Sequence, residues 1–463
     1  MPDTPSGAVH DLASATSQAD LFYVTFPPVA PVAPENIAIS PINTGAVALI
    51  SAISELRSTK TIRARAQTLL ARARRGESAW FTINNGAMVT TATLVAKLTQ
   101  ARYPDLKIPY HSRWRHFEAG GVDRAGQLNL ALAQSSPLEK ARAQIDLALV
   151  SVLLDAGAGP DWAYGESASS QSCNREYTRS EGLGVASFHA FMSGLFSSDA
   201  AKPLQADAKG LQSVTVEQLG NAFQVTASNP LVGLEGRAAL LHRLGHALQD
   251  QPELFGNSAR PGHLFDLLTK NGKLIRAHDL LDVLLTGLAR IWPAQNAIEN
   301  IALGDCWQHV AARSSVADSG VTGNASDGWM PFHKLSQWLT YSLLEPFEWA
   351  GVRVEGIDAL TGLPEYRNGG LFLDAGVLRL KDPLQAGRLH AAGDELIVEW
   401  RALTVALLDE LAPLVREQLG LTADQMPLAC VLEGGTWAAG RALAQQLHHG
   451  LPPLNIQSDG TVF

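Results

Sequence analysis

The segment PFHKLSQWLTYSLLEPFEWAGVRVEGIDALTGLPEYRNGGLFLDAGVL, residues 331–378, decides how this chain is interpreted. Its first part has apolar residues at helical spacing and predicts an amphipathic helix over residues 332–349. A glycine-punctuated stretch follows, with an acidic, aromatic and basic triplet at 365–367 and a second acid at Asp374. Aromatic and charged side chains this close together are typical of a pocket for a small polar ligand. We therefore expect the functional site in this segment.

Helical spacing recurs through most of the chain. Capping boxes at Ser136 and Thr215 mark two further helix starts, whereas strand signals are short. The predicted fold is mainly α: a multi-helix body with few short strands. Helices are predicted over residues 44–75, 137–157, 234–249, 277–292, 332–349, 395–418 and 435–448, and strands over 80–83, 352–354 and 371–373.

The chain divides into three predicted regions. Residues 1–35 form a proline-rich N-terminal arm, because prolines there disfavour both helix and central strand. Residues 36–225 form an N-terminal helical region, and residues 226–463 form a C-terminal helical region that carries the site. The boundary is placed in a polar stretch that ends at a turn signal.

Composition restricts the class of protein. The 463 residues carry a net charge of −9, which argues against a surface that coats nucleic acid. Three widely spaced cysteines give no disulfide framework or thiolate zinc motif, which fits a reducing cytoplasm. No apolar run has the length of a membrane span. The expected partner is a small molecule rather than nucleic acid or membrane, and the oligomeric state stays open.

Glu365 and Asp374 are the candidate catalytic carboxylates. Across a Gly-Gly turn they can converge on one cavity, as hydrolysis of a glycosidic bond requires. Arg367 could hold a phosphate or a carboxylate through two hydrogen bonds. The alternative is a rigid structural turn in which Arg367 pairs with one of the two acids.

The predicted helix over residues 332–349 supplies candidate substrate-binding residues. Lys334, Trp338, Tyr341 and Glu345 share a stripe at helical spacing. They could form a stacking wall with a carboxylate at its end, and His333 precedes them. An aromatic core stripe is the alternative, and for Trp338 alone it is favoured.

Two other segments are rich in polar chemistry. The run Asp305-Cys306-Trp307-Gln308-His309 lacks standard metal-ligand spacing. His309 is better interpreted as a hydrogen-bond donor to a substrate, or equally as a core histidine. The arginine-, histidine- and aromatic-rich run at 110–117 could hold an anionic group or, by slight preference, form a structural contact. A glycine pair after Glu433 could expose helix N–H groups to an anion, although a plain turn is favoured.

Four motifs and the terminal DGTVF resemble the uracil-catabolism protein four family over about residues 37–463. They are Tyr103–Gly121, Met330–Gly351, Leu360–Leu378 and Glu433–Arg441. The resemblance implies a route in which uracil becomes a ribonucleotide, its ring is opened, and ribosylurea arises. Urea and ribose must then be separated. By elimination, this implies an N-glycosidase that cleaves the C1′–N bond of ribosylurea or its 5′-phosphate.

The helical body with its Glu365-Tyr366-Arg367 triplet is also similar, more distantly, to the queuosine-nucleotide N-glycosidases. Their fold is akin to that of the helix-hairpin-helix DNA glycosylases, and they carry Asp-Tyr-Arg at this place. Because Glu365 departs from that triplet, the comparison favours Asp374 as the catalytic carboxylate.

The expected protein is a hydrolase without cofactor or metal. In this hypothesis Asp374 stabilises the ribosyl cation and orients water, while Glu365 manages a proton on the ureido group. The substrate-binding candidates are Arg367, Tyr366, Trp338, Tyr341, Glu345, His333, His309 and Trp307. Two alternatives stay open: a metal-dependent amidohydrolase that acts on a ring-opened ureido intermediate and uses Cys306, His309 and carboxylates as ligands, and a non-catalytic pathway partner.

Overall fold

The structure, a computed structural model, describes residues 44–155, 157–167, 174–292, 296–312 and 324–457. The predicted arm and the terminal DGTVF lie outside these ranges. The described α-helices, numbered α1–α18 in chain order, are Thr44–Leu56, Thr59–Arg74, Ala87–Arg102, Trp114–Phe117, Arg124–Ala131, Pro137–Leu153, Arg179–Met192, Ala208–Ser213, Val216–Ala222, Leu234–Gln249, Pro252–Phe255, Leu264–Thr269, Ala277–Gly287, Lys334–Trp349, Tyr366–Asp374, Glu395–Leu419, Leu428–Val431 and Trp437–His448.

The strands are short and form two-stranded sheets at the edges of the helical body. The pairs β4–β9 and β11–β12 are parallel, and the other four pairs, β1–β10, β2–β3, β5–β6 and β7–β8, are antiparallel. The strands β1–β12 are Phe81–Ile83, Ala163–Ser167, Asn174–Thr178, Leu274–Arg276, Ala297–Ile298, Ile301–Ala302, Cys306–Gln308, Trp329–Pro331, Arg353–Glu355, Leu378–Leu380, Leu389–Ala391 and Asn455–Gln457. The prediction of a mainly α fold is confirmed.

Helix starts follow the predicted caps, but two local predictions are wrong. The side chains of Ser136 and Thr215 accept backbone N–H groups at the starts of α6 and α9. The predicted helix over residues 44–75 is two helices, because Ser58 has extended backbone and caps α2. The predicted strand at 371–373 lies inside helix α15, whose N-cap is Glu365.

One continuous hydrophobic core extends across the predicted boundary at 225/226. Helix α6 packs on α14, and helices α2 and α3 pack on the long helix α16. The boundary itself stays a prediction. Residues 451–457 dock on the body after α18, because β12 pairs with β11 and Leu454 and Ile456 are buried. No helix in the described ranges has both the length and the apolarity to cross a bilayer.

Helices α15 and α18 run side by side, and glycine makes their close approach possible. A Cβ atom on Gly440 would lie 2.0 Å from the carbonyl oxygen of Arg367. At the other end, His448 of α18 contacts Asp374 of α15. Residue numbers therefore rise together along both helices, which means that they are parallel.

We expect Gly440→Ala to lower the free energy of unfolding by roughly 3 kcal/mol, because the new methyl group meets backbone that cannot rotate away. Guanidinium chloride denaturation measures the change. Gly387→Ala is the matched control, since no atom lies within 4 Å of its added Cβ. A Gly440→Ala protein that gains stability, as helix propensity alone would give, would contradict the close approach.

Candidate functional site

Asp305 and Arg401 fix the starts of helices α14 and α15. The Nη1 and Nη2 atoms of Arg401 each donate to one carboxylate oxygen of Asp305 at 2.7 Å. Asp305 Oδ2 also accepts the backbone N–H of Lys334 at 3.0 Å, at the first residue of α14. Arg401 Nε donates to the carbonyl of Pro364 at 3.2 Å, just before α15. One guanidinium therefore ties both helix starts to α16.

This ion pair holds Asp305 in its charged form. Burial alone would raise the pKa of Asp305, but the charge and hydrogen bonds of Arg401 hold it at about 2. The indole of Trp307 adds a hydrogen bond to Asp305 Oδ1 at 2.8 Å. Trp307, a predicted substrate-binding residue, thus contacts the carboxylate that anchors α14.

Glu365 caps helix α15 with both carboxylate oxygens. Oε2 accepts the backbone N–H of Arg367 at 2.7 Å, and Oε1 accepts that of Asn368 at 2.6 Å. Burial raises the pKa of Glu365, and the two N–H groups and the charge of Lys334 oppose that rise. Burial also lowers the pKa of Lys334, against the opposing charge of Glu365. Both residues are partly exposed.

One turn along α14 from Lys334, the indole of Trp338 meets a buried polar cluster. The Arg113 guanidinium carbon and the His116 ring centroid each lie 5.7 Å from the centre of the Trp338 ring. Arg113 pairs with Asp155 at 3.1 Å, and the Ser180 hydroxyl donates to Asp155 at 2.5 Å. The start of α7 and the end of α6 are thereby joined to α14.

Three buried nitrogens of this cluster have no hydrogen-bond partner among the described residues. They are Arg113 Nη2, His116 Nδ1 and Trp338 Nε1. Burial, followed by the nearby charge of Arg113, lowers the pKa of His116 well below its usual value of 6.5, so its ring is neutral. An unpaired buried polar atom costs about 1–3 kcal/mol. Three such atoms beside one indole mark this place as a candidate ligand site.

A second set of contacts leads from His116 through His111 to the start of α18. His111 is near enough for its charge to lower the pKa of His116 further. Its ring lies 6.3 Å from that of Trp437, the first residue of α18. The Arg441 guanidinium lies 5.5 Å from the Trp437 ring and 3.5 Å from Glu181. Glu181 follows Ser180 in the chain, so the contacts lead back to the buried cluster.

The parallel packing of α15 and α18 places the start of α15 at the level of the start of α18. Arg367 lies opposite Gly440, and continuing that register to the helix starts puts Glu365 at the level of Trp437. We call the resulting set the site ring. It consists of Glu365, Lys334, Trp338, His116, Arg113, Asp155, Glu181, Arg441, Trp437 and His111.

Asp374 lies elsewhere, so the expectation that the two carboxylates converge is wrong. Gly369 and Gly370 are inside α15 rather than in a turn, and Asp374 is the last residue of that nine-residue helix. At about 1.5 Å per residue, the helix separates Asp374 from Glu365 by about 13 Å. Asp374 Oδ1 pairs with His448 Nε2 at 2.8 Å. Burial raises the pKa of Asp374, against the hydrogen bond to His448.

Three other predicted substrate-binding residues are largely buried in protein contacts. The hydroxyl of Tyr341 donates to the carbonyl of Thr361 at 3.0 Å. Glu345 Oε2 accepts the Ser112 hydroxyl at 2.6 Å, and burial raises the pKa of Glu345. His333 Nε2 lies 3.0 Å from the carbonyl of Leu56.

Arg367 and Tyr366 lie beside the site ring at the start of α15. The Arg367 guanidinium stacks 4.7 Å from the ring of Tyr366, and its Nη1 donates to the carbonyl of Gly450. Its Nε is buried without a hydrogen-bond partner among the described residues. The rigid-turn alternative requires Arg367 to pair with Glu365 or Asp374. Arg367 pairs with neither acid, because its guanidinium points toward the end of α18.

Cys306 and His309, the suggested metal ligands, have separate surroundings. Cys306 is buried in a small apolar cluster with Ile53 and Leu56. His309 Nε2 lies 3.3 Å from Glu399 Oε2. Across the described ranges, the structure shows no group of three or more histidine, cysteine, aspartate and glutamate side chains with the spacing of a metal site.

Several ring residues were not predicted as site residues. Asp155 directly follows the apolar end of α6, and an acid in that position is a weak signal on its own. His111, Arg113 and His116 lie in the 110–117 run, for which a structural role was favoured. Only the fold brings these residues to Lys334 and Glu365.

Comparison with known proteins identifies the family. Residues 55–463 match a family described as protein of unknown function, DUF1688, and the chain belongs to it. It is 39% identical over 422 residues to Protein urg3 of Schizosaccharomyces pombe, covering 89% of this chain and 99% of that protein. It is 39% identical over 388 residues to Uracil catabolism protein 4 of Lachancea kluyveri, covering 77% and 85%. The family resemblance drawn from the motifs is confirmed, whereas the likeness to queuosine-nucleotide N-glycosidases stays a prediction.

We expect Asp305→Asn to lower the free energy of unfolding at neutral pH by about 3 kcal/mol, because the buried Arg401 would lose its counter-charge. The folded pKa of about 2 lies below the unfolded value of about 3.9. The carboxylate therefore contributes stability above about pH 4 that is lost as the pH falls toward 2.

Guanidinium chloride denaturation at several pH values between 2 and 7 tests this prediction, since Asp305→Asn should show a weaker loss of stability in acid than the wild type. The control is Asp161→Asn, the same change at an exposed position. Equal stability of the Asp305→Asn and Asp161→Asn proteins would show that the pair does not hold the site.

Proposed function

We propose that this protein is an N-glycosidase of uracil catabolism that hydrolyses the C1′–N bond of ribosylurea or its 5′-phosphate. The observation that carries the proposal is the position of Glu365. It is a partly exposed carboxylate, fixed at a helix start, and its charge interacts with that of Lys334. A glycosidase needs such a carboxylate where positive charge develops on the sugar.

Glu365 has the properties of the group that faces the ribosyl cation. Breaking the C1′–N bond leaves an oxocarbenium-like sugar, which a fixed negative charge stabilises. The backbone N–H groups of α15 and the Lys334 ammonium favour the ionised carboxylate. The same carboxylate can orient the water that attacks C1′. In this proposal Glu365 takes the role that the motif comparison favoured for Asp374.

Trp437 supplies a wall. It is partly exposed at the start of α18 and presents a large apolar face of the kind that packs against a sugar or a planar ureido group, whereas Trp338 of α14 is buried in the core and supports the site ring from within. The exposed Arg441 beside Trp437 lies at the outer edge of the ring, where it could meet a 5′-phosphate. The ring therefore offers a buried polar end and a cationic outer end.

The relatives support the pathway assignment. The Lachancea kluyveri protein is named Uracil catabolism protein 4, and the match covers most of both chains. All four motifs of the family resemblance contribute residues to the site ring or to its supports: His111 and His116, Trp338, Glu365, and Trp437 with Glu433. Motifs that are far apart in the sequence thus serve one place in the fold.

The direct test is to incubate the purified protein with ribosylurea and, separately, with its 5′-phosphate, and to assay urea. We expect urea from at least one compound at a rate proportional to protein concentration. The compound with the higher kcat/KM identifies the physiological form. Folded protein that releases no urea from either compound would rule out the proposal.

Two matched substitutions test which carboxylate reacts. We expect Glu365→Gln to lower kcat by about 1,000-fold or more, because it removes the charge that faces the ribosyl cation. We expect Asp374→Asn to leave kcat within about threefold, because Asp374 lies at the far end of α15. Steady-state urea release from both variants gives the comparison. The reverse order of losses would return the catalytic role to Asp374.

A further inference from the structure

We infer that His111, held by Glu433, is the general acid that protonates the departing urea. This inference rests on the proposed N-glycosidase function and deepens it. A urea anion is a poor leaving group, so C1′–N cleavage needs a proton donor as well as a carboxylate. Asp374 is too far from Glu365 to supply that proton. His111 of the site ring, which is paired with Glu433, can supply it.

Glu433 fixes which nitrogen of His111 carries the exchangeable proton. His111 Nδ1 lies 2.9 Å from Glu433 Oε2. Burial alone would raise the pKa of Glu433, but His111, Arg102 and Tyr103 hold it at about 2. An ionised carboxylate can only accept hydrogen bonds, so Nδ1 must be the donor. The Nε2 edge is then the one that gains and loses a proton.

The surrounding chain holds this pair rigidly. The backbone N–H of His111 donates to the carbonyl of Ala429 at 3.0 Å. Glu433 lies in a π-helical turn, Leu432–Thr436, that leads into α18. A Cβ atom on Gly435 would lie 2.6 Å from the carbonyl oxygen of Val95, so only glycine allows the turn to approach α3. Single π-helical turns are frequent at functional sites.

Two further donors complete the carboxylate's environment. Arg102 Nη2 and the Tyr103 hydroxyl reach Glu433 Oε1 at 2.8 and 2.9 Å. Arg102 ends helix α3 and Tyr103 follows it, so the close approach of the π-helical turn that glycine allows brings Glu433 within their reach. Both oxygens of Glu433 are thereby occupied, and its orientation is fixed before any substrate binds.

His111 is also in the right place. Its ring lies 6.3 Å from that of Trp437, and the register of α15 and α18 puts Glu365 at the level of the same tryptophan. Its side chain is 13% exposed, compared with 9% for Glu433. His111 and Glu365 thus both lie toward the start of α18, His111 through its ring contact with Trp437 and Glu365 through the register of the two helices.

The reaction balances with these groups. The C1′–N bond breaks, its electron pair goes to the ureido nitrogen, and the proton on His111 Nε2 moves to the leaving urea. Water then adds to C1′, and its proton goes to Glu365. Proton exchange with solvent returns His111 to the protonated form and Glu365 to the ionised form. The products are urea and ribose or its phosphate, with no other reactant consumed.

The chain supplies a matched control. His189 Nε2 lies 2.6 Å from Glu166 Oε1, so it is also a histidine paired with a glutamate. Its other neighbours are the rings of Tyr164 and Phe188 rather than members of the site ring. His189→Asn therefore reproduces the loss of a carboxylate-paired imidazole without touching the proposed chemistry.

The test compares two leaving groups. We expect His111→Asn to lower kcat for ribosylurea by about 100- to 10,000-fold, the usual worth of general acid catalysis. Cleavage of 4-nitrophenyl riboside should fall by no more than about threefold, because nitrophenolate leaves without a proton. Glu365→Gln should lose both activities, and His189→Asn should lose neither. Thermal unfolding of each variant confirms that it is folded.

Imidazole rescue is the second readout and uses ribosylurea alone. Added imidazole should restore activity to His111→Gly but not to Glu365→Gly, because a small acid can occupy the vacated space and donate the proton. The inference is overturned if His111→Asn does not selectively lose ribosylurea cleavage and imidazole rescues nothing. Wild-type protein that releases no urea would instead contradict the proposed function itself.

Discussion

The contact between Arg401 and Asp305 is the interaction on which the rest of the site depends. The guanidinium donates hydrogen bonds from Nη1 and Nη2 to Asp305 and from Nε to the carbonyl of Pro364. Its central carbon lies 4.0 Å from the centre of the Phe332 ring. Burying such a pair gains little stability over an apolar core, because desolvation offsets the attraction. What the pair supplies is position: it fixes two helix starts, and therefore Lys334 and Glu365, relative to α16.

The electrostatics of the site ring follow from the number of helices that begin there. Helices α7, α14, α15 and α18 each begin at or beside it. A helix start presents unpaired N–H groups and partial positive charge, which favour a carboxylate or another anion nearby. The acids Glu365 and Asp305 each accept such N–H groups. At Asp305 these contacts help to keep the carboxylate ionised away from bulk water, and at Glu365 they oppose the rise in pKa that burial causes.

The mainly α fold and the segment that carries the site could be predicted from the sequence. The role of the glycines and the long-range ion pairs could not, for physical reasons. The segment that contains Lys334, Trp338 and Glu365 was identified because its polarity is costly and its helical spacing is clear. The Gly-Gly pair was predicted as a turn because glycine usually disfavours helix interiors. In the structure, a Cβ on Gly369 would lie 2.7 Å from the Trp400 ring, so the glycines serve packing that only tertiary structure reveals. The pairs Arg401–Asp305 and His111–Glu433 join distant parts of the chain, and one sequence gives no signal for such partners.

The proposed double use of Glu365 as helix cap and reacting carboxylate is chemically consistent. Each carboxylate oxygen has two acceptor positions, and the cap occupies one on each oxygen. The remaining positions are available to a ribose hydroxyl, to water, or to the charge that develops at C1′. The cap fixes the carboxylate before substrate arrives, so no free energy is lost in reorienting it as the transition state forms. Electrostatic stabilisation is most effective when the stabilising group is held in place in this way. A side chain that only reacted would lack the two short backbone contacts that hold it still.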